Sequence, residues 1–188
     1  MERTTPASSP DGRLTGDTEL VRLRDGSQVT LRPVVAADEP ALHMFLERLR
    51  LSARRLRFFS GAVDLVNAAH MSVAAGTGRY GLVAHDETGV LVGHALFVQL
   101  DHDRAEVALE VADHLHDRGL GTILIERLAL TAEERGITRF VAAVLPENRE
   151  MLAVLRDGFD AQAHFSEGLE MVEFPTAAWR VAGERFDG

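Results

Sequence analysis

Apolar residues in the first part of the chain recur at the spacing of amphipathic helices. Between positions 42 and 49 they stand at i, i+3, i+4 and i+7, which predicts a helix over Glu39–Arg50. Asp38 occupies the expected N-cap of this helix, and Pro40 falls in its first turn. A similar pattern predicts a helix over Val63–Ala75, and Ser52 is placed to cap a shorter helix between the two.

Alternating or continuous apolar runs predict the first strands. Gln28–Val34, rich in β-branched and apolar positions, is expected to form a strand before the helices. Three further runs follow the helices and are separated by turn signals that contain Asp. These runs are Tyr80–His85, Val90–Gln99 and Arg104–Ala112. Short polar turns between successive strands indicate an antiparallel meander.

The remainder of the chain alternates helical and strand patterns. The expected elements are, in order, a helix over Gly121–Arg135 that Gly136 ends, a strand over Arg139–Leu145, a helix over Glu147–Arg156 that Gly158 ends, and strands over Phe159–Phe165 and Leu169–Phe174. This order predicts the α+β class: a single domain with a mixed, mostly antiparallel central sheet and helices on both of its faces.

Composition narrows the class of protein. The 188 residues suit one domain, and residues 1–19, whose sequence has no apolar period, are expected to form a disordered leader before a domain over residues 20–188. The absence of cysteine excludes a disulfide framework, a Cys-ligated zinc site and a Cys nucleophile. The sequence has no apolar run that could span a bilayer, so we expect a cytoplasmic protein without a membrane partner. The formal net charge of −9 argues against nucleic acid as a partner.

A Gly-rich turn joins a predicted strand to a predicted helix and consists of Arg118, Gly119, Leu120, Gly121 and Thr122. Unpaired backbone N–H groups and the dipole of the helix favour an anion at such a junction, and the two glycines let a ligand approach the backbone closely. The Arg118 side chain can add a charge-assisted contact. The turn therefore predicts a pyrophosphate site; the alternative from the same residues is a plain tight turn with Arg118 on the surface.

The turn and its surroundings resemble the GNAT superfamily of N-acetyltransferases, whose acetyl-CoA signature is Gln/Arg-x-x-Gly-x-Gly/Ala at a strand-to-helix junction. In this comparison Arg118 takes the last variable position, and Leu115 stands where the Gln or Arg often stands. The resemblance extends over Gln28–Phe174 and includes Pro146-Glu147-Asn148 and Gly158-Phe159. It implies a GNAT-like fold with acetyl-CoA as cosubstrate and an amine as acceptor.

Three segments are similar to the catalytic domain of bacterial protein lysine acetyltransferases of the Pat type. They are Leu31-Arg32-Pro33, Leu56-Arg57-Phe58-Phe59 and Ala105-Glu106-Val107-Ala108. The similarity implies a protein lysine as the acceptor, with a lysine of an acyl-CoA synthetase as a candidate partner. Proteins of this type often carry an additional regulatory domain, and at 188 residues we do not expect one in this chain.

Glu106 is the candidate general base. An amine attacks a thioester as the free base, whereas a lysine ammonium has a pKa of about 10.4, so a carboxylate or an ordered water must take its proton. Glu106 and Glu110 are expected on one face of their strand, where mutual repulsion would raise at least one carboxyl pKa. The resemblance selects Glu106, with Glu110 as the alternative base or a helper; an exposed strand residue without a role is the alternative for each.

Further residues enter the site through the resemblance. Backbone groups of Leu109 and Val111 are expected to pair with the pantetheine arm and to polarise the thioester carbonyl. Asn148 is expected either to bind the coenzyme arm or to cap its own helix, two roles that its position fits equally. The helix that follows lacks the Tyr that protonates the leaving thiolate in many GNAT enzymes. We expect no metal, since His114 and His116 stand in a polar loop of the kind that is usually solvated.

These residues support three hypotheses. The first is an acetyl-CoA-dependent N-acetyltransferase that acts on a protein lysine by direct transfer with a glutamate base. The second keeps this chemistry and changes the acceptor to a small-molecule amine or a protein N-terminus, because acceptor loops vary within such folds. The third is a non-catalytic acyl-CoA-binding regulatory module, which the presence of Glu106 disfavours.

Overall fold

The computed structural model describes residues 18–50, 64–74 and 76–178. The strands are β1 (Glu19–Arg22), β2 (Gln28–Pro33), β3 (Arg79–Asp86), β4 (Leu91–Gln99), β5 (Arg104–Val111), β6 (Arg139–Val144), β7 (Gln162–Ser166) and β8 (Leu169–Pro175). The helices in these segments are α1 (Glu39–Arg48), α2 (Leu65–Val73), α3 (Leu120–Glu134) and α4 (Arg149–Phe159). Residues 1–17 of the predicted leader, the short helix after Ser52 and the segment Leu56–Phe59 lie outside the described residues, whereas Glu19, at the end of the predicted leader, begins β1.

The strands form one sheet of order β1-β2-β3-β4-β5-β6-β8-β7. All neighbours in this sheet run antiparallel except β5 and β6, which are parallel because α3 connects them. The predicted α+β class and the mixed, mostly antiparallel sheet are confirmed. The helices of the described segments are each too short or too polar to cross a lipid bilayer.

The helices lie in two groups on opposite faces of the sheet. An ideal Cβ on Gly93 of β4 would lie 3.2 Å from Leu120 and 3.3 Å from Leu124, so this position faces α3. The next residue of β4, His94, therefore faces the other side. There its partner in β3, Val83, belongs to the core cluster of α1 and α2. We call these sides the α3 face and the α1 face.

One strand and the boundary between α4 and β7 differ from the sequence prediction, since β7 begins at Gln162 and not at Phe159. The edge strand β1 was not predicted, because it is only four residues long and is held to α3 by a contact distant in sequence. Helix α4 does not stop at Gly158: it continues to Phe159, and the left-handed residue that ends it is Asp160 (φ 52°). Phe159 is 1% exposed, and its burial outweighs the cost of about 1 kcal/mol for a glycine inside a helix.

The start of α1 agrees with the prediction in position and differs in chemistry. Asp38 is the N-cap residue, yet its side chain makes no hydrogen bond to α1. Its carboxylate instead accepts from the two terminal nitrogens of the Arg32 guanidinium, Nη2 and Nη1, at 2.6 and 2.7 Å, and from the backbone N–H of Val35 at 2.8 Å. Asp38 therefore fixes the approach to α1 from β2.

Candidate active site

The site begins where two neighbouring strands separate. Strands β5 and β6 are paired over Arg104–Glu106, and the last pair joins Glu106 to Val141. Beyond it the described residues of these strands form no further pairs with each other, and a cavity of about 710 Å³ opens between them. Residues from β5, β6, the start of α3 and α4 line this cavity. This volume is in the range of small-molecule and cofactor sites.

The edge of β5 presents backbone hydrogen-bonding groups to the cavity. The N–H of Ala112, just after β5, donates to the Val92 carbonyl at 2.8 Å, on the β4 side. Since N–H and C=O groups alternate between the two edges of a strand, those of Leu109 and Val111 point to the opposite edge. Both residues line the cavity, so the backbone groups that the resemblance selected do face it.

The start of α3 supplies a second set of donors. The first intrahelical bond runs from the Ile123 N–H to the Gly119 carbonyl, at 3.1 Å. The four preceding N–H groups, which a helix cannot satisfy internally, belong to Gly119, Leu120, Gly121 and Thr122. All four residues line the cavity. The Gly-rich turn thus places its donors and the positive end of the helix dipole at one end of the opening.

The two glycines of the turn serve different purposes. Gly119 has φ of +87°, a left-handed conformation that side-chain-bearing residues rarely adopt. An ideal Cβ on Gly121 would lie 3.5 Å from the Leu109 Cδ1, an ordinary contact. Packing therefore does not require glycine at 121, and its bare backbone leaves the helix start open to a ligand.

The two candidate carboxylates have different surroundings. Glu106 is exposed at the point where β5 and β6 separate. The Glu110 side chain is 4% exposed, and its Oε1 lies 2.8 Å from Nδ1 of fully buried His94, whose Nε2 has no hydrogen-bond partner. Four residues of strand separate the Cα atoms of the two glutamates by roughly 13 Å. The structure therefore does not support the expected repulsion, since Glu110 faces an imidazole instead.

The sequence left two roles open for Asn148. The structure shows one of them, the helix cap, and is compatible with the other, a contact with the coenzyme. Its Oδ1 accepts from the Met151 N–H at 3.2 Å, so it caps α4. The residue also lines the cavity, and its side-chain nitrogen keeps two donors with which to meet a ligand. Capping and coenzyme contact are compatible because they use different atoms of one amide.

His116 is a site residue that the sequence analysis missed. Leu115 was placed at the polar position of the signature, which is wrong: Leu115 is 6% exposed in the core, and the residue three before Gly119 is His116. Its Nε2 lies 3.2 Å from the Val111 carbonyl and its Nδ1 lies 3.1 Å from a Glu150 carboxylate oxygen. Counting the signature back from Gly119 would have found it.

Comparisons with known proteins are consistent with this geometry. A family model described as the acetyltransferase (GNAT) family matches residues 35–159. The acetyltransferase Pat of Mycolicibacterium smegmatis is 29% identical over 147 residues, which cover 72% of this chain and 42% of that protein. The GNAT domain of S. lividans PAT superposes with a TM-score of 0.78 at 30% identity, covering 87% of this chain and 99% of that one.

A longer solved structure is also similar. The cAMP-binding acyltransferase from Mycobacterium smegmatis has a TM-score of 0.61 at 25% identity, with 85% of this chain and 47% of that chain covered. The chain therefore spans less than half the length of the two mycobacterial relatives that it matches.

Proposed function

Since this chain belongs to the acetyltransferase (GNAT) family, we propose that its cavity holds acetyl-CoA and that the enzyme transfers the acetyl group to a lysine side chain of a protein. The observation that carries the proposal is the opening between β5 and β6. It joins an edge of β5 that is no longer paired with β6 to the N-terminus of α3 within one cavity of about 710 Å³. A long cosubstrate with phosphates at one end and a thioester at the other fits such a site.

The donors order the coenzyme along the cavity. The N–H groups of Gly119 to Thr122 receive the pyrophosphate, because they lie at the positive end of the α3 dipole. The pantetheine arm follows the β5 edge and pairs with Val111, while the side-chain nitrogen of Asn148 donates to it from α4. The thioester carbonyl then accepts from the Leu109 N–H, near the point where the strands meet.

Glu106 begins the reaction from the α1 face. It removes a proton from the lysine ammonium, directly or through a water, and the free amine attacks the thioester carbon to form a C–N bond. The negative charge that develops on the carbonyl oxygen is stabilised by the Leu109 N–H. The C–S bond then breaks, the nitrogen of the new amide releases its second proton to solvent, and the CoA thiolate leaves and takes a proton from solvent. Glu110, held by His94, is the helper on the same face.

The protein lysine as acceptor rests on the Pat relatives, at 29% and 30% identity. The geometry of the described residues suits an amine entering from the α1 face towards Glu106, which is exposed there. An acyl-CoA synthetase is the candidate protein partner, and a small-molecule amine or a protein N-terminus is the alternative acceptor.

The test combines a variant with a panel of acceptors. The full chain is mixed with acetyl-CoA and either acyl-CoA synthetases or free amines, and thiol release is followed together with acceptor mass. Glu106→Gln is expected to lower kcat near neutral pH about 100-fold or more, with partial recovery at high pH, where more of the amine is unprotonated. Glu170→Gln, on β8 and outside the cavity lining, is the matched control.

Each outcome separates one part of the proposal from the others. Full activity of Glu106→Gln at neutral pH contradicts the base assignment. Transfer to small amines without transfer to any synthetase contradicts the lysine acceptor. Binding of acetyl-CoA without transfer to any amine contradicts the enzyme and favours a non-catalytic acyl-CoA-binding module.

A further inference from the structure

Arg118, which the sequence analysis assigned to the phosphate site, forms an ion pair outside the cavity. The Arg118 guanidinium forms an ion pair with Asp25, in the turn between β1 and β2, and Arg118 is not among the residues that line the cavity. Hydrogen bonds from the Ser27 hydroxyl and N–H, together with the charge of Arg118, lower the pKa of the Asp25 carboxyl. Asp25 is therefore ionised at neutral pH and competes with any phosphate for Arg118.

A second arginine, Arg24, lies beside the Gly-rich turn. Arg24 lines the cavity together with Gly119 and Thr122. Its Nε would lie 3.3 Å from a Cβ placed on Gly119, so its side chain covers the N-cap of α3. The Arg24 backbone N–H donates to the Arg118 carbonyl at 3.1 Å, which fixes the two segments together independently of the Arg24 side chain.

The turn that carries Arg24 is anchored on both sides. Glu19, at the start of β1, accepts two hydrogen bonds of 2.9 Å from Arg127 of α3, and both side chains are largely buried. Leu23, the residue before Arg24, is 3% exposed in the main core. The hairpin β1–β2 is thus already docked on α3, and a ligand need not order it on binding.

We infer that Arg24, rather than Arg118, is the arginine that binds the pyrophosphate of the coenzyme, and that the β1–β2 turn is a part of the coenzyme site. The inference rests on the proposed function of the cavity. The contact is with the pyrophosphate and not the 3′-phosphate, because Arg24 lies over Gly119, where the free N–H groups of the helix begin. A guanidinium in this position adds a charge-assisted bond to an anion already held by backbone donors.

The test measures binding of three probes to the full chain by calorimetry: CoA, dephospho-CoA, which keeps the pyrophosphate, and pantetheine, which has no phosphate. Arg24→Gln is expected to raise the Kd for CoA and for dephospho-CoA about tenfold and to leave the Kd for pantetheine unchanged. Arg22→Gln removes the same charge from exposed β1 and is expected to change each Kd less than twofold. Arg118→Gln is expected to have a smaller effect than Arg24→Gln.

The remaining variants and outcomes keep the inference separate from the proposed function. Arg24→Lys retains the charge and should recover most of the affinity, and thermal unfolding checks that each variant is folded. A larger loss for Arg118→Gln than for Arg24→Gln overturns the inference, as does a loss confined to CoA, which would indicate the 3′-phosphate. Failure of the unmodified protein to bind any probe would instead contradict the proposed function.

Discussion

The two faces of the sheet differ in the kinds of side chain that pack on them. On the α3 face the core includes a chain of five aromatic rings, Tyr80, Phe97, Phe140, Phe174 and Phe159, with neighbouring centroids 5.5 to 5.9 Å apart. The α1 face has a smaller apolar cluster and carries two ionisable pairs that include the buried side chains of Asp38, His94 and Glu110. These are the His94–Glu110 pair and the Arg32–Asp38 pair.

The difference assigns separate tasks to the faces. Aromatic packing stabilises a fold without titrating, so the α3 face suits a rigid support for the coenzyme. Buried ionisable groups cost free energy unless they are well paired, and they are therefore weak evidence of a stabilising role. They lie on the side where Glu106 is exposed, from which the acceptor amine enters in the proposed mechanism.

The largest expected effect tests the aromatic support. Phe174 is 1% exposed and contacts both Phe140 and Phe159. Phe174→Ala is expected to lower the free energy of unfolding by about 3–5 kcal/mol, because it removes a buried ring and leaves a cavity. Urea denaturation measures the change. Phe165→Ala, at a position 66% exposed, is the control and should change stability by about 0.5 kcal/mol or less.

If Phe174→Ala and Phe165→Ala lowered the free energy of unfolding equally, the aromatic chain would not be a special support of the α3 face. The folded fraction of Phe174→Ala should retain its affinity for CoA, because Phe174 does not line the cavity. A large loss of CoA affinity in that variant would mean that the aromatic chain shapes the site as well as supporting it.

The next effect concerns the buried pair on the α1 face. His94→Leu or Glu110→Met each leaves a polar partner buried without its contact and is expected to lower the free energy of unfolding by about 3 kcal/mol. The double variant removes both groups, so its loss should be smaller than the sum of the single losses by about 1–3 kcal/mol. Denaturation of the four proteins completes the cycle. Glu106→Met, on the same face and exposed, is the control for loss of a carboxylate.

Activity separates structure from function in the same set. If Glu110 is a helper, the double variant should remain folded and show a lowered kcat towards the amine with its CoA affinity retained. Additive stability losses would show that the pair does not interact as a unit. An unchanged kcat in the folded double variant would restrict the pair to a structural role.

The sequence predicted the cavity lining at the start of α3 better than the surroundings of the two glutamates. The reason is that the first depends on residues close in sequence and the second on residues far apart. Gly119 to Thr122 act through local backbone geometry, which glycine spacing at a helix start reveals. Leu109 and Val111 face the cavity because strand alternation is also local. Arg24 could not be found in this way, since it reaches Gly119 through tertiary packing of the β1–β2 turn on α3.

The ion pairs show the same limit. Asp25 forms an ion pair with Arg118, which is 93 positions away in sequence, and His94 contacts Glu110 on the neighbouring strand. A sequence pattern records which side chains carry charge and on which face of a strand they lie. It does not record which other charged side chain each of them contacts in the fold. For this reason the sequence analysis expected repulsion between Glu106 and Glu110, whereas in the structure Glu110 contacts His94.

The smallest expected effect is the dependence of stability on pH that Asp38 causes on the α1 face. Hydrogen bonds from Arg32 hold the pKa of Asp38 below its ordinary value of 3.8, aided by the Val35 N–H. The unfolded chain therefore binds a proton at Asp38 more readily than the folded protein does, so this stabilisation is complete above about pH 4 and is lost as pH falls through the folded pKa. Asp38→Asn should lower the free energy of unfolding at pH 7 by about 2 kcal/mol and flatten its fall below pH 4.

His85 provides the internal control for this measurement. Burial and the charge of Arg32 lower its pKa, so the unfolded state gains its proton first and the associated loss of stability begins near pH 6, above the Asp38 window. Denaturation curves at half-unit steps from pH 7 to 3 separate the two windows, and His85→Gln should remove the upper one alone. A fall below pH 4 that persists unchanged in Asp38→Asn would place the acid sensitivity outside the Arg32–Asp38 pair of the α1 face.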